Sequence, residues 1–144
     1  VTDNNGGFDT EQVTINITGS NDSPVLTVVD NVGSIAEGSA LSDSGSFTFA
    51  DVDQTNTATT SKTNVSASWS GGTLSGAQTT ALYNAFSIAP PSFTSNSGTI
   101  TWNYSILEAD LDFLAQGETV TLVFDVTVTD NNGGFDTEQV TINI

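Results

Sequence analysis

The sequence contains no cysteine, histidine or methionine, and Lys62 is its single basic residue. Without histidine and cysteine, the common general bases, thiol nucleophiles and zinc or copper ligands are absent. Against one lysine stand 17 Asp and Glu residues, which give a formal net charge of −16. A chain of this charge repels nucleic acids and anionic lipids, so we expect neither as a partner. Only chemistry that depends on carboxylates remains.

Long apolar runs are also lacking, since no stretch approaches the roughly 20 residues that span a bilayer. Hydrophobic residues nevertheless make up 36% of the chain, including eight Phe and two Trp. They alternate with polar residues, which favours a folded domain over disorder. The acidic surface then has two interpretations. Either it serves solubility or salt tolerance, or its carboxylates gather around a divalent cation.

The same seventeen residues, VTDNNGGFDTEQVTINI, stand at Val1–Ile17 and again at Val128–Ile144. An offset of 127 positions is too long for a solenoid unit and suits one globular domain. We therefore predict one unit of a tandem array, 24–144, preceded by a linker, 18–23, and by the last strand of an earlier unit, 1–17. Because only one copy of the repeated strand fits its slot, the other must fray, extend away or pair with a neighbour.

Short alternating runs between turn residues predict an antiparallel β-sandwich. The clearest is 119–129, which is followed by a turn at 130–134 and a returning strand. Other predicted strands place Phe47 with Phe49, Val65 with Trp69, and Ile100 with Trp102 and Tyr104 on one face each. Two short helical turns are expected, at Gln78–Phe86 and after Ser105, where Ser105 and Glu108 have capping-box spacing and Gly117 would close the turn.

Acidic residues cluster where the predicted strands end. Asp51 and Asp53 follow the Phe47 strand, and in an extended segment residues i and i+2 point the same way, so the two can share one cation. Asn21 and Asp22 form a second cluster in the linker. Asp110, Asp112 and Glu118 form a third, to which Glu37 is a candidate addition. Ca²⁺ takes six to eight oxygen ligands, which such loops supply, and it is the expected ion. Mg²⁺ is the alternative, although flexible loop ligands favour the larger ion.

The segment LDFLAQGETVTLVFDVTVTDNNGGFDTEQVTINI, from Leu111 onward, and the linker ITGSNDSPVL resemble the VCBS-type repeats of large bacterial RTX adhesins. These repeats are a branch of the cadherin-like sandwiches. The resemblance implies a Greek-key, cadherin/Ig-like fold with calcium at the junction between successive units. It also implies an extracellular position at a bacterial surface and type I secretion.

Carried over residue by residue, the resemblance implies two groups of calcium ligands. At the upper end of the unit these are Asn21, Asp22, Asp51, Asp53 and Asp130. At the lower end, facing the next linker, they are Glu37, Asp110, Asp112 and Glu118.

The expected function is that of an extender, a calcium-stiffened spacer whose partners are neighbouring repeats of the same chain, while other domains bind the adhesion ligand. The alternative is a carbohydrate- or protein-binding module that uses Trp69, Trp102 or Tyr104. Against it, Trp102 and Tyr104 alternate with polar residues, so a role in the core is favoured. A hydrolase would need two acids facing across a cleft, and we expect no enzyme.

Overall fold

A computed structural model of the chain describes residues 1–144 and shows a sandwich of two β-sheets. The four-stranded sheet has the order β1-β3-β7-β5. Its strands are β1 (Val25–Asp30), β3 (Ser42–Ala50), β7 (Ser97–Ser105) and β5 (Phe86–Ala89). The five-stranded sheet has the order β2-β9-β8-β4-β6. Its strands are β2 (Val32–Ser34), β9 (Phe135–Asn143), β8 (Val120–Asp130), β4 (Ala58–Trp69) and β6 (Ser92–Phe93). The all-β, two-sheet prediction is confirmed.

All strand pairs are antiparallel except one, because β2 pairs parallel with β9 over three residues. Before β4, only this short edge strand belongs to the five-stranded sheet, since β1 and β3 lie in the other sheet. Gly33 permits the contact, since a Cβ at this position would lie 2.5 Å from the Ile142 side chain and 3.2 Å from Trp102. A larger residue would push β2 away from β9.

The core lies between the sheets and is built by strict alternation. Along β8 every second residue is fully buried, from Val120 to Val128, which confirms the predicted inner face. Phe47, Ile100 and Trp102 are buried to the same extent from the opposite sheet. Rings add specific geometry, since Phe86 stacks on Phe124 with centroids 4.1 Å apart.

The prediction that Val65 faces the core is wrong. Val65 is 48% exposed, because the register of β4 on β8 shifts between Asn64 and Ser66. This β-bulge adds one residue to β4, so Lys62 faces inward before it and Ala67 after it. Alternation read from the sequence carries no marker of such an insertion.

The predicted helix is present as α1, Gly76–Asn84, and it begins two residues earlier than expected. Ser75 caps it, accepting a hydrogen bond from the Gln78 backbone, while the Gln78 side chain accepts one from the Ser75 backbone. This reciprocal capping box fixes the start of the helix. At nine residues α1 is the longest helix, and none is long and apolar enough to cross a membrane.

The second predicted helical turn begins elsewhere. Ser105 is the last residue of β7, and a short 3-10 turn spans Glu108–Asp110 without any side-chain cap. Gly117 has the positive φ of +84° expected of a turn residue, but it lies in a separate turn in which Glu118 donates its N–H to Ala115. The capping-box prediction is therefore wrong, because the strand competes successfully for Ser105.

Val1–Ile17 lies outside both sheets. Its first nine residues form a small hairpin, in which Thr2 bridges Phe8, and no residue of the segment donates or accepts a backbone hydrogen bond with the sandwich. The later copy of the same sequence supplies the end of β8 and all of β9. Of the three possibilities for the earlier copy, the structure shows it extending away from the domain.

Candidate functional site

The ends of β3 and β8 and the start of β1 meet at one end of the sandwich, which we call the upper pole. It consists of the linker 18–23, the loop 51–57 and the turn 130–134. An open cleft of about 450 Å³ lies between these three segments, and no hydrophobic residue lines it. The only buried carboxylate and amide side chains of the domain belong to this pole: Asp51, Asn56 and Asp130.

Asp130 organises the turn between β8 and β9. Its Oδ1 accepts hydrogen bonds from the backbone N–H of Asn132, at 2.7 Å, and of Gly134, at 2.8 Å. Gly133 takes a φ of +94°, which favours glycine. A Cβ on Gly134 would lie 2.6 Å from Asp130 Oδ2 and 2.8 Å from Ser23 Oγ, so only glycine lets the linker approach. The turn is thus shaped to receive the linker.

Asn21 joins the linker to both loops. Its Nδ2 donates to Asp130 Oδ2 at 2.9 Å, and its Oδ1 accepts from Asn132 Nδ2 at 2.9 Å and from Asn56 Nδ2 at 3.2 Å. The next residue adds a main-chain contact, since the Asp22 N–H donates to Asp53 Oδ2 at 2.8 Å. The linker therefore enters the domain along a fixed path.

The loop after β3 is held from both sides. The Asp51 N–H donates to the Asn96 carbonyl, and Asn96 Nδ2 donates back to the Asp51 carbonyl, each at 2.8 Å. Asp51 Oδ1 accepts from the Asp53 N–H at 2.9 Å. Asn56 Nδ2 lies 3.3 Å from Asp51 Oδ2 and 3.5 Å from Asp53 Oδ2. Both carboxylates thus face one shared amide group.

The charges of this pole have no basic partner. Lys62 lies elsewhere, where its Nζ donates to the Phe86 carbonyl and sits 5.4 Å from the centre of the Phe86 ring. At the pole the hydrogen bond from Asn21 lowers the pKa of the Asp130 carboxyl, and the backbone N–H groups of the turn act in the same direction. Desolvation opposes this shift and is smaller in effect. Amide dipoles therefore stabilise the ionised form of Asp130 in place of a cation.

All five residues predicted for the upper group lie at this pole. Asn21, Asp51, Asp53 and Asp130 belong to one connected network through their side chains, while Asp22 joins it through its backbone. Sequence reasoning missed Asn56 and Asn132, which bridge the carboxylates. The signal was available for Asn132, because it lies in the Asp-Asn-Asn-Gly-Gly turn beside Asp130. Nothing marks Asn56 among the other polar loop residues.

No three acidic side chains converge closely enough to form a metal centre from carboxylates alone. The upper pole instead interleaves three carboxylates with three side-chain amides, all of them oxygen donors. That donor chemistry fits a hard cation such as Ca²⁺, which accepts carbonyl and amide oxygens beside carboxylates. It does not fit zinc or copper.

The four residues predicted for the lower group lie at or near the opposite end, and the structure does not join them. Glu118 Oε2 accepts from Trp69 Nε1 at 3.1 Å and from the Ala115 N–H at 2.9 Å, so this carboxylate holds a turn. Asp110 and Asp112 line a groove beside α1. Glu37 lies in a tight turn whose Gly38 N–H donates to Glu108, an acid that sequence reasoning did not single out.

Tyr104, one residue before the end of β7, is a buried tyrosine close to these lower acids. The Tyr104 hydroxyl is enclosed and has no hydrogen-bond partner. Burial raises the pKa of Tyr104, and the negative charge of Asp110 raises it further. Tyr104 and Trp102 are both fully buried, so neither offers a surface for a ligand.

Comparison of the chain with protein-family models, with curated proteins and with solved structures finds no match.

Proposed function

We propose that this chain is a calcium-stabilised extender module of a tandem-repeat bacterial surface adhesin, with a Greek-key, cadherin-like sandwich. The observation that carries the proposal is the position of Asn21. This linker residue contacts Asp130, Asn132 and Asn56, from both polar loops of the following domain. The joint between the repeated segment and the domain is therefore the place where the acidic loops converge.

The residues that would hold the ion are those of the upper network: Asp51, Asp53, Asp130, Asn21, Asn56 and Asn132. Bound Ca²⁺ would supply the positive charge that the pole lacks and would link the linker to both loops. A linker so anchored loses freedom at the joint, and a string of units becomes a stiff rod.

The three asparagines can serve the pole both without an ion and with Ca²⁺ bound. Each side-chain amide carries a donor and an acceptor on one planar group. In the structure the NH₂ groups of Asn21 and Asn56 point at carboxylate oxygens and hold the negative charges together. The amide oxygens are the groups that a cation would use. The network thus keeps the pole assembled before an ion arrives.

The length of the domain suits a spacer. β8 has eleven residues and, at about 3.4 Å per residue, spans roughly 37 Å. Each repeat would extend the stalk by about this distance. Extracellular calcium modules bind with dissociation constants on the order of 0.1–1 mM, so such a joint fills outside the cell and stays empty in the cytoplasm. The proposal therefore places the protein outside the cell, secreted to a bacterial surface.

Differential scanning calorimetry tests the calcium joint. With about 10 mM Ca²⁺ and a dissociation constant on the order of 0.1–1 mM, linkage predicts a gain of about 1.4–2.7 kcal/mol. That corresponds to a rise of about 5–10 °C in Tm for a domain of this size. Asp53→Asn should remove most of the rise, whereas Asp125→Asn, which removes one charge from the outer face of β8, should preserve it. Equal Tm values in calcium and in chelator would contradict the proposal.

Small-angle scattering on a chain of two units tests the spacer function itself. The maximum dimension should be close to twice that of one unit in calcium and shorter, with a broader distribution, in chelator. Asn21→Ala in the middle linker should reduce the difference, because it removes the side chain that contacts both loops. If the maximum dimension were the same in calcium and in chelator, calcium would not stiffen the joint, and the spacer mechanism would be contradicted even if calcium binds.

One observation favours the alternative function, a carbohydrate-binding module. A groove of about 360 Å³ between β4 and α1 is lined by Trp69, Tyr83 and Leu74, and both aromatic residues are partly exposed. Tryptophan fluorescence measures ligand binding in this groove through Trp69, because Trp102 is buried and serves as an internal reference. Quenching by an oligosaccharide that disappears in Trp69→Phe would support binding here. An unchanged spectrum across neutral and acidic glycans would contradict it.

A further inference from the structure

The upper pole contains an asparagine–glycine pair, Asn132-Gly133, in the turn between β8 and β9. It is the only such pair within the sandwich, residues 24–144. Asn132 is exposed and lines the open cleft, so water reaches its side chain. Apart from its two neighbours in the chain, no atom lies within 4 Å of the position that a Cβ on Gly133 would take. The main chain at Gly133 is therefore uncrowded.

Such a pair can lose the side-chain amide of its asparagine without an enzyme. The main-chain nitrogen of Gly133 attacks Cγ of Asn132, and the new C–N bond closes a five-membered succinimide ring. The side-chain nitrogen leaves as ammonia and takes up the proton that the glycine nitrogen gives up. Water then adds to either carbonyl of the ring and opens it to aspartate or isoaspartate. Glycine permits the attack because no Cβ obstructs it, and either product carries a carboxylate in place of the amide.

The side chain of Asn132 serves the network only as a hydrogen-bond donor. Its Nδ2 donates to Asn21 Oδ1 at 2.9 Å and to Asn56 Oδ1 at 3.1 Å. An ionised carboxylate has no hydrogen to donate. After the reaction, two amide oxygens would therefore face a negatively charged oxygen with no proton between them. The contact that joins the turn to the linker would change from attraction to repulsion.

A divalent cation would reverse the sign of that change. The reaction adds a fourth carboxylate to the three that the upper network already holds, and the affinity of a Ca²⁺ site rises with the number of charged ligands. The amide oxygens of Asn21 and Asn56, which no longer accept from Asn132, become available to the same ion. Repulsion among these oxygens without a cation thus becomes attraction when a cation lies among them.

We propose that Asn132 is a self-modification site, and that its conversion to aspartate or isoaspartate makes the joint dependent on a divalent cation. Before the conversion, amide hydrogen bonds hold the linker without an ion. After it, the same contact closes only around a cation. The dependence on a cation rests on the proposed function, whereas the reaction and the loss of the two hydrogen bonds do not.

Peptide mapping by mass spectrometry tests the reaction in the full chain. During incubation at mildly alkaline pH, Asn132 should gain the mass that accompanies replacement of NH₂ by OH, and labelling by an isoaspartyl methyltransferase should detect the isoaspartate product. Asn131 is the internal control, because it lies in the same turn but precedes an asparagine instead of a glycine. An Asn132 that stays intact, or an Asn131 that reacts equally fast, would overturn the assignment.

The Asn132→Asp variant of the full chain tests the consequence for the joint. In chelator its Tm should lie about 4–8 °C below that of the wild type, because two hydrogen bonds are replaced by a repulsion. In calcium the deficit should disappear, and isothermal titration calorimetry should give a Ca²⁺ dissociation constant about tenfold lower than that of the wild type. Wild-type protein modified at Asn132 and purified by anion exchange should behave in the same way.

Asn131→Asp is the matched control for charge. It adds the same charge to the same turn but keeps the oxygen that accepts from the Thr57 N–H at 2.8 Å, and it removes no donor from the network. Equal effects of Asn131→Asp and Asn132→Asp would reduce the change to net charge and overturn the proposal, as would a wild-type Tm of Asn132→Asp in chelator.

The calcium arm separates this proposal from the proposed function. If calcium stabilised the wild type but did not repair Asn132→Asp, the dependence on a cation would be overturned and the calcium joint would stand. If calcium stabilised neither protein, the calcium joint itself would be refuted, together with the dependence on a cation.

Discussion

Val1–Ile17 and Val128–Ile144 share one sequence, and comparing them separates local from long-range causes of structure. The turns are alike. In both, an aspartate Oδ1 accepts from the N–H groups two and four residues later, Asp3 at 2.9 and 2.8 Å and Asp130 at 2.7 and 2.8 Å. Gly6 and Gly133 adopt φ of +87° and +94°. The turn forms in both places because its own residues satisfy it.

The residues after the turn differ completely. In the later copy they form a strand of nine residues. In the earlier copy Phe8 and Asp9 pair back with Thr2 and Val1, and the residues from Thr10 onward form no backbone pairing. β-branched residues favour strands only where a pleated, half-buried surface exists to receive them. β8 provides that surface on one side and β2 on the other. The strand is therefore a property of the sheet, whereas the turn is a property of the sequence.

The largest expected effect is a difference in unfolding free energy between variants of Ile142, which is buried in β9, and of its exposed counterpart Ile15. Ile142→Ala should cost about 2–5 kcal/mol, because it leaves a cavity in a closely packed core. Ile15→Ala, the same substitution in the exposed copy, should change the free energy of unfolding by less than about 0.5 kcal/mol. Urea denaturation followed by fluorescence measures both. If the two substitutions lowered the free energy of unfolding by similar amounts, the earlier copy would pack against the domain in solution.

A smaller effect tests whether the two turns contribute equally to folding. Gly133→Ala forces a non-glycine residue into a left-handed conformation, at a cost of about 1–2 kcal/mol, and no atom lies within 4 Å of the new Cβ. Gly6→Ala places the same strain in the earlier turn, which is equally open. Only the first should lower the unfolding free energy in urea.

The two variants should nevertheless weaken their turns alike. Amide hydrogen exchange at Gly7 and Gly134, whose N–H groups donate to the turn aspartates, measures this local effect. Faster exchange at Gly7 in Gly6→Ala, without a change in global stability, would show a turn that folds without its sheet. A global loss in Gly6→Ala would refute the separation.

The same distinction explains what the sequence could predict. The alternation along β8 and the turn at Asp130 are local patterns, and both were predicted to within a residue or so. The bulge at Val65 was missed, because it depends on how β4 aligns with β8. Ser105 was misassigned, since a helix cap and a strand end compete there and the neighbouring β3 decides the outcome.

The site shows the same limits. Spacing alone indicated that Asp51 and Asp53 point the same way, and both carboxylates lie near Asn56 Nδ2. That they share a cation stays a prediction. The resemblance pointed to Asn21 and Asp130. Asn56 was not found, because its role arises only when the linker and two loops meet. Spacing likewise gave no indication that the lower acids stay apart, with Glu118 bonded to Trp69 and Ala115 instead of to the other acids. Residues within one segment are predictable from that segment, and contacts among three segments are not.

The smallest effect is a pH dependence that distinguishes Asp130 from its twin Asp3. The hydrogen bond from Asn21 lowers the pKa of the folded Asp130 carboxyl below the unfolded value of about 3.9. The stabilisation from the ionised Asp130 carboxylate is therefore complete above about pH 4 and is lost as the pH falls through the lower, folded pKa.

The variant Asp130→Asn tests this, because an asparagine side chain does not titrate. The difference in unfolding free energy between wild type and Asp130→Asn should be constant near neutral pH and should shrink below about pH 4. Asp3→Asn is the control: it removes the same charge from a segment that makes no backbone hydrogen bond with the sandwich, so it should leave the unfolding free energy unchanged. Urea titrations of the three proteins across this range would measure the difference, and a constant gap between wild type and Asp130→Asn down to the lowest pH would show that the linker contact does not favour the ionised carboxylate.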